Sequence, residues 1–332
     1  MRPIEVGNDQ AEQRLDRLLR KRFRDAPLSL IYKAVRRGWV RVNGRKIPPD
    51  GRVRPGDRIE FGEGMRDFER FIRDESAAQA EGFRRISLHV LYEDEDLIAV
   101  DKPPMIISQG ISSAPEGSLL DQVRALLTGK IPARFHPELV HRLDRETSGV
   151  VLAAKTPRAL AALNAVFRER RIEKSYLALV KGRPRPPEGV LSGVVVTWRE
   201  GGPGGRKHRA FRSSGEPVPK SGETAEARSR YETMETLGDF SLIRVRPETG
   251  RTHQIRLQLQ AIGHPVVGDK KYGDPSANGT AAQFLDLHRL FLHAERVVLT
   301  HPFTGRSLRI DAPMPPDLTG PLHSLRRHAK RA

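Results

Sequence analysis

The chain contains no cysteine, which excludes disulfides, thiolate catalysis and cysteine-ligated zinc and fits a cytosolic protein. No apolar stretch is long enough to span a bilayer, and residues 1–7 lack the hydrophobic region of a secretory signal. There is no Gly-x-x-x-x-Gly-Lys-Ser/Thr and no His-Glu-x-x-His, so neither a P-loop nor a helix-borne zinc protease site is expected. His136-Pro137-Glu138 could open a zinc-deaminase signature, but that signature also needs a Pro-Cys-x-x-Cys. Acidic residues are in deficit too: 41 Asp and Glu face 58 Lys and Arg, a formal net charge of +17 over 332 residues. Such a surplus calls for a polyanionic partner, nucleic acid before an anionic membrane surface. The length allows one large domain plus a small one.

What is present concentrates at His141-Arg142-Leu143-Asp144-Arg145-Glu146-Thr147-Ser148-Gly149, where one carboxylate sits among two arginines, a histidine and two hydroxyls. The apolar run at 150–154 follows at once and reads as a short buried strand that gives the loop a rigid floor. Arg142 and Arg145 would keep the Asp144 carboxyl ionised, because nearby opposite charge favours the carboxylate. Spacing alone leaves a surface salt-bridge cluster open as the bland alternative.

Upstream, Leu15, Leu18, Leu19 and Phe23 recur at helical spacing with basic residues on the other faces. A second helix runs from a Ser29 cap to about Arg37 and ends at Gly38. Asn43-Gly44 between alternating residues predicts a hairpin over 39–47, and Pro55-Gly56-Asp57 a further turn. Residues 63–85 lose the pattern and read as a linker. Strands are expected at 86–92 and 97–103 around an acidic turn, and a helix from Ser118 or Gly117. Another helix starts at Thr156-Pro157, an N-cap followed by proline at the first helical position. The strand at 174–182 carries Tyr176, which burial statistics alone would assign to the core. Residues 198–223, rich in Gly and basic residues, read as a mobile basic loop, and residues 321–332 as a frayed basic tail. The histidines read as polar loop residues.

The stretch from His141 to Thr156 resembles the signature loop of the RluA family of RNA pseudouridine synthases. The resemblance extends to Lys174-Ser175-Tyr176-Leu177-Ala178-Leu179-Val180-Lys181-Gly182, to Thr249-Gly250-Arg251-Thr252-His253-Gln254-Ile255-Arg256, and to the Gly263-His264-Pro265 and 268–273 segments that follow. The N-terminal region resembles an alpha-L RNA-binding domain through Arg14-Leu15-Asp16, the 38–44 segment and Pro55-Gly56-Asp57. The chain departs from the family at Met105, where glycine is usual, and at Gln109, where histidine is usual.

The resemblance implies an α+β protein: a pseudouridine synthase fold with a mostly antiparallel mixed sheet and a central cleft, plus the small N-terminal domain. The expected division is 1–62 for the RNA-binding domain, 63–85 for the linker, 86–320 for the catalytic domain and 321–332 for the tail. It implies isomerisation of uridine to pseudouridine within RNA, most readily 23S ribosomal RNA, on a nucleotide flipped out of its stack. Asp144 would be the catalytic residue, acting as nucleophile or base toward the sugar or the ring. Arg256 would pair with it, with Arg251 as runner-up. Tyr176 would pack on the uracil, and Arg142 and Arg251 would bind substrate. Arg36, Arg37, Arg41 and Lys46 would contact phosphates, which position RNA rather than specify sequence. No cofactor and no metal are expected, and a cytoplasmic monomer is. Two rivals stand beside this reading. A non-catalytic RNA-binding or ribosome-assembly protein would explain the charge and the N-terminal domain but not the three motifs together, and a glycosylase would release free base.

Overall fold

The computed structural model describes residues 3–6, 13–23, 26, 28–65, 68, 83–110, 117–131, 135–200, 207–217 and 222–329. The chain divides into two units, Met1–Arg84 and Arg85–Ala332.

In the first unit, α1 (Leu15–Arg22) and α2 (Leu28–Arg37) pack their apolar faces on a three-stranded antiparallel sheet of β1 (Ile4–Glu5), β2 (Val40–Val42) and β3 (Arg58–Phe61), in the order β1-β3-β2. Leu15, Leu19, Phe23, Ile31 and Ile59 fill the space between. Asp16 accepts from Arg14 Nη2 and from Tyr32 Oη, each at 2.9 Å, and so latches α1 to α2. The hairpin expected over 39–47 differs in its partner. Asn43 and Gly44 do adopt the two positive φ values of a tight turn, 50° and 73°, but only Val42 and Arg45 bridge across it. β2 pairs instead with β3, because the Asn43 side chain bonds Asp57 Oδ1 and the Arg58 backbone N–H and carries the chain onto the later strand. Met65 and Phe68, placed in the linker by sequence, are buried in this core. The rest of the expected linker up to residue 82 lies outside the described residues.

The second unit is α+β. Its strands in chain order are β4 (His89–Glu93), β5 (Leu97–Lys102), β6 (Glu138–Leu139), β7 (Ser148–Ala154), β8 (Ile172–Lys181), β9 (Glu188–Arg199), β10 (Lys207–Ser213), β11 (Glu223–Leu237), β12 (Phe240–Pro247), β13 (Leu292–Thr300) and β14 (Ser307–Asp311). They form one sheet in the order β10-β9-β11-β12-β8-β13-β7-β5-β4, with β14 on β13 and β6 on β7. All pairs are antiparallel except β13 with β7. The helices are α3 (Leu119–Leu127), α4 (Pro157–Arg168), α5 (Gln254–Ala261), α6 (Pro275–Leu285) and α7 (Pro316–Ala329).

Every residue of β7 is buried, because α3 and α4 cover its two faces. Val150 and Leu152 share a cluster with Leu163 and Val166 of α4, while Val151 and Ala153 share one with Leu119 and Val123 of α3. The alternation follows from the two-residue repeat of a strand. Both helices start at good caps: Ser118 and Asp121 form a reciprocal capping box, and Thr156 Oγ1 accepts from Ala159 N ahead of Pro157.

Two expectations about irregular chain are corrected. Within 198–223, residues 207–213 form β10, paired with β9, and β11 begins at Glu223. Phe211 is buried, while Arg209 and Arg212 are half-buried and carry charge along this edge strand. Residues 201–206 and 218–221 lie outside the described residues. The basic terminus is not frayed through 329: Leu318, Leu322 and Leu325 of α7 bury against α6 and the sheet.

Candidate active site

The signature loop is held from every side by its own backbone groups. Ser108 Oγ donates to the Leu143 carbonyl and accepts from the Leu143 N–H, at 2.8 and 3.0 Å. The buried Lys102 ammonium donates to the carbonyls of Pro103, Arg145 and Thr147 at 2.9, 3.1 and 2.8 Å. Burial and the Arg289 charge pull Lys102 down to about 7 against the attraction of Asp144 and Asp101. Arg289 Nη1 donates to the Glu146 carbonyl at 3.2 Å, and its other nitrogens are fixed by Asp317. Gly149, at φ 117°, lies where a Cβ would stand 2.2 Å from the Ala294 carbonyl oxygen of β13. The loop therefore ends at a close approach of two parallel strands that only glycine permits.

This frame holds Asp144 at a cavity of about 500 Å³, with its side chain 20% exposed. Arg256 Nη1 donates to Asp144 Oδ2 at 3.1 Å. The same guanidinium gives Nε and Nη2 to the two oxygens of Asp269, at 2.6 and 2.7 Å. Asp269 also accepts from the Lys271 and Tyr272 N–H groups. Burial opposes the Arg256 charge, but the bonds to Asp269 and the charge of Asp144 outweigh it and hold the guanidinium above its ordinary value. The Tyr272 ring lies 5.0 Å under that guanidinium, and Tyr272 Oη is 2.9 Å from His253 Nδ1. His253 Nε2 stands 3.8 Å from Asp144 Oδ2. Burial, with the Arg256, Lys271 and Arg209 charges, lowers His253 to about 4 against the pull of Asp144.

Tyr176 of β8 is half-buried, lines the same cavity and packs between the apolar clusters under α3 and α5. Burial first, then the Asp144 charge, pushes its phenol well above the ordinary range. The Thr249-Gly250-Arg251 loop forms another wall. It is stitched by Gln254, whose Oε1 accepts from Thr249 Oγ1 and the Arg251 N–H at 2.7 and 3.0 Å.

Of the two arginines considered for Asp144, Arg256 is the one beside it; Arg251 is exposed and its Nε donates to the Glu226 carbonyl at 2.9 Å. Neither arginine of the loop pairs with Asp144 as its neighbours in sequence suggested: Arg142 is exposed at the cavity wall and Arg145 Nε donates to the Met105 carbonyl at 3.2 Å. Consecutive side chains of an extended loop diverge, so adjacency in sequence does not make a pair. The histidines are more than loop residues. His141 Nε2 accepts from the Leu152 N–H at 3.0 Å and its ring stacks on Phe167, while His293 is fully buried against Ser148. Arg36, Arg37, Arg41 and Lys46 are all exposed in the first unit. Asp269 and Lys102 were given no role by sequence, although Asp269 lies within the 268–273 segment and Lys102 in the strand expected at 97–103.

Residues 96–261 match a family model described as RNA pseudouridylate synthase. The ribosomal large subunit pseudouridine synthase C of Pasteurella multocida (strain Pm70) is 36% identical over 327 residues, 97% of this chain and 93% of that protein. The synthase of the same name from Escherichia coli (strain K12) is also 36% identical over 327 residues, covering 97% and 96%. Among solved structures, human RNA pseudouridylate synthase domain containing 4 superposes with a TM-score of 0.57 at 23% identity, over 72% of this chain and 93% of that one. Human RNA pseudouridylate synthase domain containing 1 gives 0.53 at 25%, over 74% and 96%. These two show the fold.

Proposed function

The chain belongs to the RNA pseudouridylate synthase family, and on that premise we propose that it isomerises uridine in large-subunit ribosomal RNA with Asp144 as the catalytic residue. The observation that carries the assignment is the meeting of Asp144, Arg256 and Tyr176 at one cavity, from three elements far apart in sequence. The relatives named for the ribosomal large subunit match nearly the whole chain, and this supports the choice of RNA. The net charge of +17 suits a polyanion. A ribosomal substrate implies a cytoplasmic enzyme, proposed to act as a monomer.

The reaction breaks the bond between ribose C1′ and uracil N1, turns the ring and joins C1′ to C5, and the proton lost from C5 is balanced by one gained at N1. Nothing is oxidised or hydrolysed in net terms, so the residues needed are those that hold, orient and move protons. A stacked uridine cannot reach the cavity and has to be flipped. Asp144 then works at the sugar or the ring as nucleophile or base. Arg256, braced by Asp269, fixes the direction of the carboxylate. Tyr176, kept as the neutral phenol by burial and the Asp144 charge, offers its face to the uracil; stacking of this kind is worth roughly 1–3 kcal/mol per base. Arg142 and Arg251 border the cavity for the RNA strand, and Arg36, Arg37, Arg41 and Lys46 grip phosphates.

The test is pseudouridine mapping in cellular RNA with and without the protein, repeated with Asp144→Asn. The expected outcome is loss of specific large-subunit pseudouridines in both the null and the Asn strain, while purified Asp144→Asn still binds the RNA. Release of free uracil, separated by chromatography, would identify a glycosylase instead.

A further inference from the structure

We propose that Lys174 is an anchor for one backbone phosphate of the RNA strand, next to the nucleotide that Tyr176 receives. The inference deepens the reading above and rests on it. Lys174 and Tyr176 are two residues apart on β8, so both side chains leave the same face of the sheet, about 6.6 Å apart along the strand. Both line the cavity. The ammonium lies under the Thr-Gly-Arg wall, where a Cβ built on Gly250 would be 3.9 Å from Lys174 Nζ.

The other cations of the cavity are already engaged or outside. Arg256 is held by two carboxylates, Arg170 by Glu226 at 2.7 Å, and Arg168 by Glu169 at 3.7 Å. Arg251 Nε is spent on a carbonyl, and Arg142 is exposed. Lys174 is half-buried, and among the described residues its ammonium has no hydrogen bond and no ion pair. Burial alone lowers it to about 8, so it is mostly charged at neutral pH. A partly desolvated ammonium without a counter-charge is an unfavourable arrangement that an incoming anion relieves. The uracil is neutral, which leaves the phosphate of the strand as the anion that enters with it. Phosphate contacts set register rather than read bases, so Lys174 would decide which nucleotide stands at Asp144.

The experiment uses the full-length protein and RNA oligonucleotides spanning a uridine that it modifies, each with one neutral methylphosphonate replacing the phosphate 5′ or 3′ of that uridine. For the wild type, one of the two linkages is expected to lower kcat/KM by about 10- to 100-fold, the range for a hydrogen bond between charged groups. Lys174→Met and Lys174→Gln should show that loss on unmodified RNA and no further loss from the same methylphosphonate, and Lys174→Arg should restore most of the rate. If neither neutral linkage slows the wild type, or if the losses from linkage and substitution multiply, the anchor is refuted, and the first of these outcomes needs no variant to fold. Absence of product from wild type and unmodified RNA would instead overturn the parent reading and this inference with it.

Discussion

Asp269 takes two of the three guanidinium nitrogens of Arg256 and leaves one for Asp144. The carboxylate proposed to do the chemistry is therefore aimed by a second, almost fully buried one. Asp269→Asn cannot accept both bonds. Breaking one partner from a buried pair costs about 3–5 kcal/mol of stability, and the displaced Arg256 should lower kcat/KM by about 100-fold. RNA binding in a filter assay should be retained, since no phosphate contact is removed. A variant as active as the wild type would mean that Arg256 is held without its brace.

Gly149 lies at the crossing of β7 and β13. A methyl group there would meet the Ala294 carbonyl carbon and oxygen at 2.7 and 2.2 Å, at a φ of 117° that other residues avoid. Gly149→Ala must separate the two parallel strands, and the cost should be about 3 kcal/mol or more. Urea unfolding would show it as a lower midpoint, and pseudouridine formation should fall with it because the loop bearing Asp144 ends at this glycine.

Met105 holds a φ of 69°, at the position where the family resemblance leads us to expect glycine. The left-handed conformation costs an ordinary side chain about 1–2 kcal/mol, and here it presents the Met105 carbonyl to Arg145 Nε. Met105→Gly relieves the strain but loses about 0.5–1 kcal/mol to the freer unfolded chain. The expected net is a small gain in unfolding free energy, whereas Met105→Val, β-branched at the same φ, should lose stability. The reverse order in urea titrations would contradict this account of the loop.

Acid should weaken the fold before the carboxylates titrate. Burial lowers His141 to about 3 and His253 to about 4, against an ordinary value of 6.5. Below pH 6.5 the unfolded chain takes up protons that the folded chain refuses, so stability present above that pH is lost progressively toward about pH 4 for His253 and about pH 3 for His141. Each unit of difference is worth about 1.4 kcal/mol. His253→Asn, which suits the left-handed φ of 60° at this position, should flatten the part of the slope that His253 contributes. Unfolding free energies across this pH range measure it, and a flat profile in the wild type would refute the neutral, half-buried histidines.

Local pattern carried much of this protein. The β-branched run at 150–154, the caps at Ser118 and Thr156 and the turn at Asn43-Gly44 are short-range chemistry, legible wherever a few neighbouring residues suffice. The motifs around Asp144, Tyr176 and Arg256 were legible as resemblance for the same reason, each being a contiguous stretch. Partnerships were not. The arginine at Asp144 arrives from 112 residues away rather than from either side of it, and β2 finds its partner beyond the turn that seemed to supply one. β10 looked like loop because a charged edge strand has little hydrophobic pattern of its own until β9 pairs with it. The last helix looked like tail because its leucines are sparse among basic residues until α6 and the sheet cover them. Turns, caps and periodicity depend on neighbours along the chain. Ion pairs, strand order and the burial of Lys102, Lys174 and His253 depend on which distant segments come to lie together, and only the folded chain decides that.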